Sequence, residues 1–223
     1  MSQEWQRVLV LGATGMVGSA LTRAFAADGA QVHAVGRDDE RLRRLAGIDG
    51  VRTHQVDLTD ADAAERLAGG LAGAGVELAV AAVGGWKVGE PGLELPIHAW
   101  RQTIDSHLTA HFVAARSFAP VLAGRRPVYL ALNGIASHYP CQGSIAISVT
   151  GSGQRMMLDV LAAEGADRLP RYAELVVDTP ILLPGQVHDV DEPTHTAQQV
   201  YRAVRDLAAS SGPAGTVLRR HLG

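Results

Sequence analysis

The chain has one cysteine and one lysine in 223 residues, aromatics supply only 4% of it, and no apolar run is long enough to cross a bilayer. Each shortage excludes something. A single cysteine, Cys141, forbids an internal disulfide and fits a reducing compartment. The apolar stretch near the start, VLVLGATG, is too short for a membrane span and lacks the charged flank and cleavage pattern of a signal peptide. The net charge of −3 is made of interspersed acids and bases. No basic stripe suggests nucleic acid and no polybasic or amphipathic segment suggests a membrane surface. A soluble, cytoplasmic protein with a small-molecule partner is the expectation. Few aromatics with abundant Gly and Ala favour helices packed closely on a sheet over an aromatic-rich sandwich.

What is present is a regular alternation. RVLVL (7–11) is a short apolar run bounded by glycine, as in a strand buried on both faces. Val17, Ala20, Leu21, Ala24 and Phe25 then recur at helical spacing, and Gly29 marks a stop. Further strands are expected at 31–35, 51–56, 77–83, 127–132, 173–177 and 216–220. Helices are expected at 39–46, 60–71, 98–122, 155–164 and 196–209. A Gly- and Pro-rich loop covers 84–96, and a polar, proline-containing loop covers 178–193. Strands alternating with helices imply an α/β fold: a Rossmann-type, doubly wound parallel sheet of about seven strands in one domain over 1–223, with helices on both faces.

Gly12, Gly15 and Gly18 form G-x-x-G-x-x-G between the first strand and the first helix. Glycine there permits a sharp turn and lets backbone N–H groups approach a pyrophosphate at the positive end of the helix. The backbone of Thr14, Met16 and Val17 belongs to the same loop. The second strand ends AVGRDD, with Gly36 where an NAD-preferring site carries an acid. Arg37 follows and suits a 2′-phosphate, while Asp38 remains an alternative ribose ligand. NADP is therefore expected ahead of NAD.

With these residues in place, the sequence resembles the short-chain dehydrogenase/reductase family along nearly its whole length. VDLTD (56–60) resembles the segment that flanks the adenine, implying Asp57 and Leu58 as cofactor residues. AAVGGW (81–86) stands where the family has N-N-A-G, implying Val83 and Gly84. WRQTIDSHLTAHFVAARSFAPVL (100–122) resembles the family's long interface helix, which implies a homo-oligomer.

The same resemblance exposes a gap. The family uses a Tyr and a Lys four residues later, assisted by a Ser and an Asn, to transfer a proton at the substrate oxygen. Aligned on GSIAISVTGSGQ (143–154), the Tyr position falls on Ile147 and the Lys position on Gly151; the Ser position becomes Asn133 and the Asn position His107. The only lysine is Lys87, with Val83 four residues before it, so no Tyr-x-x-x-Lys exists anywhere in the chain. Loss of acid–base assistance costs about 10²- to 10⁴-fold in rate.

His107, Asn133 and Tyr139 are the candidate replacements: His107 as an acid or proton-chain member, Asn133 as a neutral donor to a carbonyl, Tyr139 with His138 as a proton source. His107 and His111 share a helix face at i, i+4, but no third metal ligand stands at diagnostic spacing, so no metal is expected. Cys141 has no activating partner in sequence. Trp86 and Lys87 fall at the strand edge where ligands bind in such sheets. Three functions stay open: a divergent NADP(H)-dependent oxidoreductase on a small carbonyl or alcohol, a non-redox enzyme such as a dehydratase, cyclase or isomerase, and a catalytically silent NADP(H) sensor or partner subunit.

Overall fold

The computed structural model describes residues 5–165, 170–182 and 194–223. Nine strands and seven α-helices are defined within them: β1 Arg7–Leu11, α1 Met16–Ala27, β2 Gln31–Gly36, α2 Asp39–Ala46, β3 Val51–Gln55, α3 Ala61–Leu71, β4 Leu78–Ala81, α4 Ile97–Ile104, α5 Ala110–Phe118, β5 Val128–Gly134, α6 Ile145–Glu164, β6 Arg171–Val177, β7 Ile181–Leu182, β8 His195–Thr196, α7 Ala197–Ala209 and β9 Leu218–Leu222. Seven strands form one sheet in the order β3-β2-β1-β4-β5-β6-β9, every pair parallel. The order runs outward from β1 in both directions, so a crevice opens at the carboxyl ends of β1 and β4, where such sheets bind ligands. β7 and β8 make a separate parallel pair.

Period-two alternation in β1 explains the two-faced core. Val8 and Val10 turn toward α1 and α7, where they meet Leu21, Phe25, Tyr201 and Val204. Leu9 and Leu11 turn to the other face, with Ala64 of α3, Ala114 and Phe118 of α5 and Leu158 of α6. None of the four β1 side chains retains solvent exposure. Alanine at 64, 114 and 115 lets helices approach the sheet closely, as the composition suggests. α7 opens on a reciprocal capping box between Thr196 and Gln199.

Two helices differ from expectation. α6 starts at Ile145, ten residues before the predicted start, so GSIAISVTGSGQ is mostly helix. Its β-branched residues and two glycines have poor intrinsic propensity. Tertiary packing overrides this, because a Cβ on Gly153 would stand 2.9 Å from Leu108 Cδ2 and one on Gly151 2.9 Å from Ser137 Cβ. The expected helix over 98–122 is broken into α4 and α5 by a π-helical turn, Asp105–Thr109, and ends in a 3₁₀ turn at Ala119–Val121. Of the loop expected at 178–193, residues 183–193 lie outside the described residues. No helix among the described residues is long and apolar enough to cross a membrane.

Candidate active site

A cleft of about 1020 Å³ lies at the carboxyl ends of β1, β2 and β4. Its first wall is the glycine loop. Gly12 sits at φ +80°, and a Cβ there would be 2.3 Å from Ala82 O, so β1 can pass that close to β4 only with glycine. Gly18 packs beneath the loop, where a Cβ would be 2.2 Å from Gly12 O. Gly15 is the N-cap of α1 and offers no side chain to it. The first intrahelical bond is Ser19 N–H to Gly15 O, which leaves the N–H groups of Met16, Val17 and Gly18 without an intrahelical acceptor. Gly12, Thr14 and Gly15 line the cleft; Met16, Val17 and Gly18 supply the first turn behind them.

The second wall is the tip of β2. A Cβ on Gly36 would be 2.5 Å from Thr14 Cγ2, so a side chain at the end of this strand would have to push the Thr14 side chain aside. Arg37 lines the cleft and is exposed. Asp38 is engaged elsewhere: one carboxylate oxygen caps α2 by accepting from Arg41 N–H at 3.0 Å, and the other pairs with Arg41 Nε at 3.2 Å. Arg41 in turn donates to Thr14 O at 3.2 Å, tying α2 to the glycine loop. Asp57 and Leu58 form the neighbouring wall. The Asp57 carboxyl is held below its usual range, first by the Thr59 backbone N–H and then by the Thr59 hydroxyl, with the Arg37 guanidinium adding to both, so it is ionised at neutral pH.

The floor is the end of β4 and the backbone after it. Val83 and Gly84 line the cleft with Ala82, Gly85, Trp86 and Lys87. Two histidines reach this backbone from the neighbouring helix. The His107 Nε2 lies 3.0 Å from Gly85 N and 3.1 Å from Gly85 O, and its Nδ1 lies 3.1 Å from Ser106 Oγ. His111, buried at 2% exposure, donates from Nε2 to Val83 O at 3.2 Å. Burial drives its pKa down to about 4, the bond to Val83 opposing, so its ring is neutral. Between the two, Gly84 sits at φ +94°, and a Cβ there would be 2.6 Å from His107 Cδ2.

The far end is closed by the start of α6 and the loop after β4, which are joined by Gly89 N–H to Gly143 O at 2.9 Å and Ser144 Oγ to Lys87 O at 3.0 Å. Ile147 lines this end. Gly151 does not; the Asn133 amide donates to Gly151 O at 3.0 Å and to Glu174 Oε1 at 2.8 Å. The Asn133 carbonyl accepts from Gly134 N–H at 2.9 Å. Asn133 therefore faces the interior, and the cleft lining does not include it. Tyr139 is 62% exposed and is also outside the lining. Of the three candidate catalytic side chains, the fold places His107 alone in the cleft. The reason Asn133 turns away is Glu174, a fully buried carboxylate on β6 that also takes a bond from Arg219 Nε at 2.6 Å.

Several cleft residues carried no motif: Arg41, Gln102, Asp105, Ser106 and Ser144. Arg41 had a signal, since it stands at N3 of a helix capped by Asp38. Ser106 and Asp105 had none, because the π turn that presents them is a product of packing.

Comparison with known proteins adds to this geometry. The model of the NAD dependent epimerase/dehydratase family matches residues 8–95. Serine 3-dehydrogenase of Rhizobium radiobacter is 29% identical over 140 residues, covering 61% of this chain and 56% of that one. The 1-deoxy-11-beta-hydroxypentalenate dehydrogenase of Streptomyces arenae is 36% identical over 140 residues, covering 58% of this chain and 49% of that one. The matches thus span about half the length of these relatives. Among solved structures, a closed serine dehydrogenase complexed with NADP+ superposes with a TM-score of 0.80 over 96% of this chain and 94% of that one, at 19% identity, which is a likeness of fold.

Proposed function

We propose that the chain is a divergent short-chain dehydrogenase/reductase that binds NADP(H) in this cleft and oxidises or reduces a small alcohol or carbonyl compound without the family's Tyr/Lys pair. The observation that carries the reading is the joint geometry of the glycine loop and the tip of β2. The loop at Gly12–Gly18 offers free helix N–H groups to a pyrophosphate. Arg37 lies exposed beside it, with no side-chain hydrogen bond or ion pair among the described residues, whereas both oxygens of Asp38 are held by Arg41. A ribose 2′-phosphate finds a cation there, and a bare ribose diol finds no uncommitted acid at position 38. Both relatives are dehydrogenases and the structural neighbour is complexed with NADP+, which supports the same reading.

The fit of the cofactor rests on space as well as charge. A Cβ at Gly12 or Gly18 would meet backbone oxygens at 2.3 and 2.2 Å, so both glycines are required for the tight turn that delivers the free N–H groups of the first helical turn to the cleft. Met16, Val17 and Gly18 N–H groups would hold the pyrophosphate, Arg37 the 2′-phosphate, and Asp57 and Leu58 the adenine. When bound, the nicotinamide supplies or accepts a hydride. The chain's own part is to orient the ring over Val83–Gly85 and to shape the pocket between Trp86, His107 and Ile147.

Calorimetric titration with NADPH, NADP+ and NADH tests the reading. Micromolar binding that prefers the phosphorylated forms is expected, followed by hydride transfer on a panel of carbonyls, enones and quinones. Absence of binding by all three forms refutes it.

A second reading, a silent NADP(H)-binding subunit, is supported by Ile147 and Gly151 at the aligned catalytic positions. It predicts cofactor binding with no turnover on that panel. Self-association accords with either. Ile145, Val149, Met156 and Val160 make an apolar stripe along α6, exposed by 41–63%, and Phe112 of α5 is 49% exposed. Sedimentation should show a dimer or larger species, reduced by Met156→Glu.

A further inference from the structure

We infer that His107 and His111 are positioning residues, a paired latch that fixes the backbone of Val83–Gly85 at the floor of the cleft, and that His107 does not act as the proton donor. Hydrogen-bond accounting carries this. The acceptor that the fold sets before the exposed Gly85 N–H is His107 Nε2 at 3.0 Å, which serves only when that nitrogen bears no proton. The proton is then on Nδ1, which donates to Ser106 Oγ at 3.1 Å, while the Ser106 hydroxyl donates to Gln102 O at 2.7 Å. In this tautomer both imidazole nitrogens are engaged by protein partners. His111 holds the carbonyl two residues earlier by Nε2–H at 3.2 Å.

The two contacts have opposite polarity: one accepts from Gly85 N–H, the other donates to Val83 O. Together they define the orientation of both peptide units that flank Gly84. That residue must then turn through φ +94°, and its missing side chain is the space the His107 ring occupies. The π turn Asp105–Thr109 is the third part of the device. One wide turn sets His107 and Ser106 against the loop while His111, on regular helix, stays in the core. The alternative contact, His107 Nε2–H to Gly85 O at 3.1 Å, belongs to the other tautomer and hands the exposed Gly85 N–H to solvent, so Gly85 N–H exchange distinguishes the two.

The catalytic half of this inference rests on the proposed NADP(H) reading; the structural half does not. Amide hydrogen exchange of Gly85 in the free protein therefore comes first. His107→Ala should speed that exchange by about tenfold, the scale of one net hydrogen bond. His107→Asn, whose carbonyl can accept from Gly85 N–H, should restore part of the protection. His111→Asn keeps a donor and should hold Val83 better than His111→Ala, with thermal melts reporting whether each variant folds. Unchanged Gly85 exchange in folded His107→Ala overturns the latch.

With cofactor, His107→Ala should weaken NADPH binding, and the pH profile of kcat/KM between 5 and 8 should have the same limbs in wild type and His107→Asn. A limb present in wild type and lost in His107→Asn overturns the positioning role and makes His107 the acid. If wild type binds no NADPH, the proposed function fails, and the exchange result still decides the latch.

Discussion

Replacing Arg37 by alanine should change which cofactor the protein prefers more than whether it binds one. The side chain is exposed and lines the cleft next to Gly36, where the Thr14 side chain crowds any substituent. Its charge reaches the Asp57 carboxylate, which is turned to Thr59. A charge-assisted bond to phosphate contributes about 1.5–3 kcal/mol. Solvent around an exposed guanidinium argues for the lower half of that range, about 1.5–2 kcal/mol. At about 1.4 kcal/mol per decade, NADPH affinity should fall about ten- to thirtyfold, and NADH affinity should change less than about threefold. The preference should shrink further as salt rises, because the pair is screened on a length of about 8–10 Å near physiological ionic strength. Titration of wild type and Arg37→Ala with both cofactors at two salt concentrations measures this. An equal loss for NADPH and NADH refutes the assignment, since a residue that reads the 2′-phosphate cannot affect a ligand that lacks one. So does a loss of NADH binding in Asp38→Ala beyond that caused by unfastening Arg41.

Gly12→Ala should destabilise the fold as well as the site: the left-handed φ alone costs about 1–2 kcal/mol, and the Ala82 carbonyl at 2.3 Å adds to it. Its melting temperature should drop by at least about 2–8 °C. His111 predicts acid sensitivity with a definite sign. Its folded pKa, about 4, lies below the ordinary imidazole value of 6.5, so above pH 6.5 it is neutral in both states and contributes nothing to the pH dependence. As pH falls from 6.5 toward 4 the unfolded chain takes up a proton that the native state refuses, and stability should decline by roughly 3 kcal/mol over that window. Denaturant titrations at pH 7, 5.5 and 4.5 measure the decline, and His111→Asn should flatten it. Arg219→Ala removes the ionic partner of the fully buried Glu174 and should cost about 3–5 kcal/mol, partly recovered by adding Glu174→Gln, as read from urea midpoints.

The alternation of strands and helices and the glycine loop were legible because local patterns specify them. Continuous apolar runs mark strands buried on both faces, and glycine is required wherever a Cβ would strike backbone. The place of Asp57 and Leu58 in the cleft wall was legible only through resemblance. What escaped were features made by packing. Nothing in GSIAISVTGSGQ signals helix, since its helical state is imposed by Leu108, Ser137 and Asn133 pressing on two glycines. The π turn has no composition of its own. Asn133 carries the residue type of a carbonyl-polarising donor, yet a buried acid forty-one residues later in the chain claims its amide. A residue type tells what a side chain can do; the direction in which it is turned depends on partners far away in sequence.

On the proposed reading, these packing features bear on the chemistry. The aligned Lys position, Gly151, is closed by Asn133 and Ser137, and its carbonyl is taken by the Asn133 amide. That amide is held by Glu174, Glu174 by Arg219, and Arg219 also by Asp159 at 2.8 Å. The chain of contacts joins β5, β6, β9 and α6. A lysine at 151 would have to displace the first link, and a tyrosine at 147 alone would lack the charge that lowers its pKa from about 10. The site therefore works without a tuned acid or not at all. Lack of such an acid costs about 10²- to 10⁴-fold for an ordinary ketone, whose reduction leaves a localised alkoxide. The cost shrinks when the acceptor delocalises the incoming charge, as a quinone or enone does. If the proposed function holds, turnover on a conjugated acceptor should therefore exceed that on an ordinary ketone, and equal rates on both would refute the idea that the site lacks a tuned acid.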